Sequence, residues 1–128
     1  MFVKINEKEY ELSTKLGTAM TLEKKHKISI MQLFEKLQNA DVCELIDMID
    51  IAAKQVNKDS EIKNDLLAHY DYMDLFLLVK DLLIKILFSG TDKQNEEKLA
   101  KFPINEEAKN AIRELLGLPT TADSAGTA

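Results

Sequence analysis

The sequence predicts a mainly α-helical fold, in which an N-terminal β-hairpin precedes a small bundle of about five to six helices and a mobile C-terminal segment. Three observations support this class. Apolar and polar residues alternate only near the N-terminus, and apolar residues recur at helical spacing through most of the remaining chain. The third observation is the segment Asp71 to Phe88, which is apolar around most of a helix circumference.

The composition divides the chain into three parts. We expect residues 1–90 to form the β-hairpin and helical core domain, residues 91–119 a polar linker and a short C-terminal helix, and residues 120–128 a disordered tail. The first boundary rests on the change after Phe88 to Ser-Gly-Thr-Asp-Lys-Gln-Asn-Glu-Glu-Lys, which is too polar to pack. The last nine residues carry no large apolar side chain.

The predicted hairpin has one apolar face. A two-residue loop at Glu7-Lys8 would place Ile5 opposite Tyr10 and Val3 opposite Leu12 on that face. Because an isolated two-stranded hairpin is marginally stable, the face must pack on helices or join another sheet. The edges of the hairpin remain available for strand pairing.

Capping signals locate the helices. A weak helical pattern runs from Thr18 to Lys25, and Ser29 with Gln32 forms a capping box for a helix from Ile30 to about Leu37. Asp41 and Glu44 repeat this pattern before the clearest amphipathic helix, whose apolar positions are Val42, Leu45, Ile46, Ile49, Ala53 and Val56.

Three further helices are predicted in the second half of the chain. Ser60 is expected to cap a short helix that carries Ile62, Leu66 and Leu67, and Asp71 to cap the long apolar helix. Asn105 is expected to cap the last helix, which Gly117 ends. The apolar stripe of this last helix comprises Ala108, Ala111, Ile112 and Leu115.

The long apolar helix has more apolar surface than one buried face requires. Asp74, Asp81 and Lys85 share one narrow stripe, while the opposite side is apolar. The helix is therefore either the centre of a bundle or shared with another subunit or client. We predict its apolar side as a client- or self-association surface, formed by Leu75, Phe76, Val79, Leu82, Leu83, Ile86 and Leu87. Charged residues within a short apolar run argue against a membrane-spanning helix.

Charge and cysteine content exclude several classes of protein. The net charge is −5 and the basic residues are scattered, which argues against nucleic acid as the main partner. The one basic cluster, Lys24 to Lys27, fits a solvated helix end better than the recognition helix of a DNA-binding regulator. The single Cys43 excludes an internal disulfide and a cysteine-built zinc site. A reducing cytoplasm fits, and the N-terminus lacks the pattern of a signal peptide.

No group of residues has the pattern of a catalytic or metal site, so we predict a protein that is not an enzyme and needs no cofactor. His69, Asp71 and Asp74 are better explained by helix capping than by metal binding. The acidic residues Glu44, Asp47 and Asp50 are expected on a solvated helix face. Cys43 is expected to be a small, partly buried residue unless the fold brings a histidine close to it. The methionines Met20, Met31, Met48 and Met73 suit either core filling or an adaptable binding surface.

The order of these elements resembles the tail assembly chaperones of long-tailed, siphovirus-like bacteriophages and related gene-transfer particles. Three segments carry the resemblance: Lys4-Ile-Asn-Glu-Lys-Glu-Tyr-Glu-Leu12, Lys15-Leu-Gly-Thr-Ala-Met-Thr-Leu-Glu-Lys24 and Ile28-Ser-Ile-Met-Gln-Leu-Phe34. The helix from Ala40 to Val56 and the apolar helix that ends at Phe88 continue the same layout, so the resemblance covers roughly residues 2–90.

The resemblance implies a protein that binds the tape measure protein in the host cell cytoplasm and keeps its apolar helices soluble. It also implies recruitment of tail tube protein and departure before the tail is finished. A longer form made by translational frameshifting would begin in the region after Gly90. The alternative function is a self-associating structural virion or tail-completion protein, and in both cases a homo-oligomer is possible.

Overall fold

The computed structural model describes residues 1–119 of the chain. This part contains two β-strands and seven α-helices, so the predicted mainly helical class with an N-terminal hairpin is confirmed. In chain order the elements are β1 (Phe2–Ile5), β2 (Lys8–Glu11), α1 (Leu16–His26), α2 (Ile30–Glu35), α3 (Val42–Val56), α4 (Ile62–His69), α5 (Tyr72–Leu87), α6 (Asp92–Ala100) and α7 (Glu106–Leu116). One turn of 3₁₀ helix, Leu37–Asn39, comes after α2. The predicted disordered tail, residues 120–128, lies outside the described residues.

The chain forms two compact units, of which the first spans Met1–Leu87 and the second begins at Phe88. The core of the first unit is a cluster of buried apolar residues from the hairpin and from α1 to α5. Helix α3 lies at its centre, because it packs against α1, α4, α5 and β2. The sequence accounts for this position, since Leu45, Ile46, Ile49 and Ala53 are all buried as the amphipathic pattern predicts.

The hairpin has a different register from the predicted one. Val3 pairs with Tyr10 and Ile5 with Lys8, so the two-residue turn is Asn6-Glu7 and not Glu7-Lys8. Both turn residues have positive φ, 47° at Asn6 and 70° at Glu7, as a type I′ turn requires. Asparagine tolerates this left-handed conformation better than most residues, which explains why the turn begins one position earlier than predicted.

The apolar face of the hairpin packs on the helices, which was one of the two predicted alternatives. Val3, Ile5 and Leu12 are buried in the core of the first unit, and Tyr10 is half-buried against it. The Tyr10 hydroxyl donates a hydrogen bond to the Asp65 carboxylate, which ties β2 to α4. Burial of this face gives the marginal hairpin the support that it needs.

Most of the predicted capping interactions are present. Ser29 and Gln32 form the capping box of α2, with Ser29 Oγ accepting from the Gln32 amide at 3.2 Å and Gln32 Oε1 accepting from the Ser29 amide at 2.9 Å. Asp41 accepts from the Glu44 amide at 2.8 Å at the start of α3. Asp71 and Asp74 cap α5 reciprocally, through amide-to-carboxylate bonds of 2.8 and 3.1 Å.

The second unit corrects the prediction of a polar linker after residue 90. The segment Asp92–Ala100 is a helix, α6, and packs against α7. A capping box starts it, because Thr91 Oγ1 accepts from the Gln94 amide while Gln94 Oε1 accepts from the Thr91 amide. Leu99 is fully buried, so one apolar residue in an otherwise polar helix contributes to packing.

Helix α7 begins and ends as predicted. The Asn105 side chain accepts from the Ala108 amide at 2.8 Å, and Gly117 ends the helix in the left-handed conformation with φ 74°. Ile112 of the predicted stripe is buried, whereas Ala111 is exposed. The buried Arg113 is held by the carboxylate of Glu96 on α6, with N–O distances of 2.9 to 3.2 Å.

Candidate functional site

The predicted association surface on the long apolar helix is mainly part of the core. Leu75, Val79, Leu82, Leu83 and Ile86 are at most 6% exposed. Phe76 and Leu87 are partly buried and pack against the same cluster. Helix α5 is therefore buried in the bundle against α2 and α3, and in this fold these seven residues do not form a surface on which a client could bind. Their assignment to a binding surface is corrected.

The apolar residues available for binding lie elsewhere. Within residues 1–119, nine large apolar side chains are substantially exposed, and all belong to the first unit: Phe2, Leu16, Met20, Val42, Val56, Leu67, Tyr72, Met73 and Leu77. Their exposure ranges from 41% at Val42 to 76% at Leu16. Met48 fills the core, whereas Met20 and Met73 are exposed, so core filling accounts for only some of the methionines.

Two of the exposed residues border a groove that we call the α3–α4 groove. It is about 470 Å³ in volume, and most of its exposed lining is apolar. Val42, Cys43 and Ile46 of α3 and Leu67 of α4 provide the apolar lining. The remaining lining residues are charged or polar: Lys25 and His26 of α1, Glu44, Asp47 and Asp50 of α3, and Lys63 of α4.

Helix geometry explains why these side chains meet. Val42, Ile46 and Asp50 are spaced four residues apart on α3, so they form one stripe along the groove, and Cys43 and Asp47 form the adjacent stripe. Leu67 is 61% exposed although its neighbour Leu66 is fully buried, because the two residues lie on different faces of α4.

An ionic cluster connects α1 to the groove. The Lys25 ammonium forms an ion pair with one carboxylate oxygen of Asp47, and His26 Nε2 lies 3.7 Å from the other oxygen. One turn further along α3, Asp50 pairs with Lys54 at 2.9 Å. The prediction that Asp47 and Asp50 lie on a solvated face is wrong, because both are half-buried and paired. The contacts of Lys25 and His26 with Asp47 hold the C-terminal end of α1 against α3, whereas the Asp50–Lys54 pair lies within α3.

Cys43 was predicted to be partly buried, and it is instead exposed. His26 lines the same groove, but its contact is with Asp47. Activation of a thiol needs a base within hydrogen-bond reach, whereas the histidine of the groove lining, His26, lies beside Asp47. The geometry of this groove suits an apolar side chain better than a reacting group.

The acidic residues near His69 have structural roles. The carboxylates of Asp71 and Asp74 accept the hydrogen bonds that cap α5, as the sequence indicates. Within the described residues, no group of three or more His, Cys, Asp or Glu side chains has an arrangement that could hold a metal ion.

The sequence contained a signal for exposed apolar residues that periodicity alone misassigned. Val42 and Val56 fit the apolar stripe of α3, but they lie at its two ends and are exposed. The neighbouring elements cover the middle of a central helix, so apolar residues in its first and last turns can remain exposed. Such residues are candidates for a surface as well as for the core.

No helix in residues 1–119 combines the length and the apolar composition needed to cross a lipid bilayer. Comparisons with protein-family models, with curated proteins and with solved structures found no match to this chain.

Proposed function

We propose that this protein is an assembly chaperone that binds an apolar helix of another protein in the α3–α4 groove. The observation that carries the proposal is the mostly apolar lining of this groove, with Val42 and Leu67 exposed on opposite sides of it. Exposed apolar surface that is grouped in a groove is typical of protein-binding sites.

The size of the groove suits side chains of an amphipathic helix. A volume of about 470 Å³ lies within the usual range of binding sites and accommodates large apolar side chains at positions i and i+3 or i+4 of a client. Lys63 and Glu44 on the rim place both signs of charge beside the apolar lining. A client helix with an apolar stripe between charged flanks matches this arrangement.

The family resemblance indicates the identity of the client. Tail assembly chaperones of long-tailed bacteriophages bind the tape measure protein, whose long helices are apolar. We therefore propose the tape measure protein as the client and the tail tube protein as a second partner, in the host cell cytoplasm. In this proposal the chaperone leaves before the tail is finished.

Co-expression tests the groove. The tape measure protein of the same particle is expressed with wild-type chain, with Leu67→Asp or with Leu16→Asp, and its soluble fraction is measured after centrifugation. Both residues are exposed, 61% and 76% respectively, so neither change disturbs the core. We expect wild type and Leu16→Asp to keep the client soluble, and Leu67→Asp to leave it as insoluble as it is without chaperone, because a carboxylate in the groove must be desolvated.

Circular dichroism spectra and thermal unfolding first establish that both variants are folded. Equal client solubility with Leu67→Asp and wild type would contradict the assignment of the groove. If the client is insoluble with every form of the chain, and Leu67→Asp dissociates a homo-oligomer, the groove is a self-association surface. That result would favour the alternative of a structural virion or tail-completion protein.

A further inference from the structure

Within residues 1–119 the outer edge of β2 has no strand beside it. Met1 and Leu12 exchange two backbone hydrogen bonds, of 2.7 and 3.1 Å. In an antiparallel pair of strands every second residue pair is bonded in this way, so the backbone groups of Val3 and Tyr10 also point towards the other strand. The intervening residues of β2, Glu9 and Glu11, therefore direct their N–H and C=O groups away from β1. Within residues 1–119 these four groups make no hydrogen bond.

Ser13 follows Glu9 and Glu11 at the same two-residue spacing, and its contact shows what the outer edge of β2 faces. The Ser13 N–H donates to the Ala52 carbonyl of α3 at 3.0 Å, so the outer edge of β2 faces α3. A groove of about 500 Å³ lies between this edge, the C-terminal end of α3 and the segment that follows α3. We call it the β2-edge groove. Its lining comprises Lys8, Glu9, Tyr10, Glu11, Ala53, Val56, Asn57, Asp59, Ser60 and Glu61.

The groove is acidic. Its lining contains the four acids Glu9, Glu11, Asp59 and Glu61 and the single base Lys8, a formal balance of −3. It also has an apolar side, because Val56 at the end of α3 is 46% exposed. Unpaired backbone groups, negative charge and one apolar contact together define the chemistry of an occupant.

We propose that the β2-edge groove binds an extended basic segment of a partner protein as a third strand. Lys or Arg side chains at alternate positions lie opposite Glu9 and Glu11, on the solvent side of the sheet. The residues between them point to the side on which the helices pack, so small apolar residues such as valine fit beside Val56. Four backbone hydrogen bonds to Glu9 and Glu11 supply affinity, and the charges supply specificity.

A second copy of this chain fits the groove less well. Pairing of β2 with β2 of another molecule would bring Glu9 and Glu11 beside the same two residues of the other copy. Like charges on neighbouring strands are destabilising. The proposal is independent of the client site in the α3–α4 groove, which lies on other residues of α3 and α4.

The test uses a blocked peptide of alternating lysine and valine with the isotope-labelled full chain. Its binding is followed by NMR and by amide hydrogen exchange. We expect saturable binding that weakens at high salt, together with exchange at the Glu9 and Glu11 amides slowed by about tenfold or more. A peptide of alternating glutamate and valine is the charge control and is expected not to bind.

The variant Glu9→Lys with Glu11→Lys is expected to weaken binding of the basic peptide by about tenfold or more, because two attractive cross-strand pairs become repulsive. Both side chains are exposed, and because Glu9 lies opposite Lys4 in the hairpin, circular dichroism first establishes that the variant is folded. The matched control, Glu35→Lys with Glu97→Lys, makes the same change in net charge at exposed residues that do not line the groove. The proposal would be overturned if the control variant weakened binding equally, if the peptide bound without protecting the two amides, or if the wild type did not bind it. If the Glu9 and Glu11 amides became protected at high protein concentration without peptide, that result would also overturn the proposal, because a second copy of the chain would then occupy the groove.

Discussion

Leu83 was predicted to lie on a client- or self-association surface and is instead fully buried, and replacing it with alanine distinguishes these positions. Leu→Ala removes three carbon atoms from an apolar site, which costs about 2.4 kcal/mol at ~0.8 kcal/mol per methylene. The cavity that remains raises the loss in the free energy of unfolding to about 3 kcal/mol or more. Leu77 on the same helix is 48% exposed, so Leu77→Ala loses about half the transfer free energy, about 1 kcal/mol, and creates no enclosed cavity.

Urea unfolding followed by tyrosine fluorescence measures this difference in the first unit alone. The chain has no Trp, and its three tyrosines, Tyr10, Tyr70 and Tyr72, all lie within Met1–Leu87. With slopes of about 1–3 kcal/mol per molar urea, Leu83→Ala is expected to lower the midpoint by about 1–3 M, and Leu77→Ala by about a third as much. Equal midpoint shifts in the two variants would contradict the burial of one side of α5, because Leu83 and Leu77 would then have the same environment.

Three further predictions concern polar contacts and the hairpin turn. The hydrogen bond to Asp65 raises the pKa of Tyr10 from 10.0 to about 12, so the bond stabilises the fold fully below about pH 10 and less as the pH rises towards 12. Urea midpoints should therefore show a gap between wild type and Tyr10→Phe that narrows above about pH 10, and a constant gap would contradict this. Glu7→Gly is expected to raise the free energy of unfolding by about 0.5–1 kcal/mol, because glycine adopts φ 70° without strain; a lower midpoint would argue against the turn geometry. Glu96→Ala removes the principal partner of the buried Arg113 and is expected to destabilise the second unit by about 2 kcal/mol in thermal unfolding. Glu97→Ala is the control, and an equal effect of the two changes would show that the Glu96–Arg113 pair contributes little.

Local signals in the sequence predicted most of the helices. The capping residues Ser29, Asp41, Asp71 and Asn105 all make the expected hydrogen bonds, because a cap depends on residues within a single turn. Two local signals were available and were missed. The αL tendency of Asn6 marks the hairpin turn, and the Thr91–Gln94 capping box marks α6 in a segment that composition alone describes as a linker.

The binding surface could not be predicted in the same way. The wide apolar arc of α5 is compatible with a bundle centre or with a client site, and only the packing of α2 and α3 against it decides between them. The exposure of Leu67 likewise depends on which face of α4 meets the core. Periodicity shows that an apolar face exists, but the three-dimensional arrangement determines what covers it.

The central proposal is that the chain binds a client through the α3–α4 groove and dissociates from it before the tail is finished. The most direct measurement is affinity capture of tagged wild-type and Leu67→Asp protein from cells that express the neighbouring genes, with mass spectrometry of the bound proteins and of the finished particle. We predict that the wild type recovers a long helical tape measure protein, that Leu67→Asp does not, and that the finished particle lacks this chain. Recovery only of copies of itself, or its presence in the particle, would contradict the account.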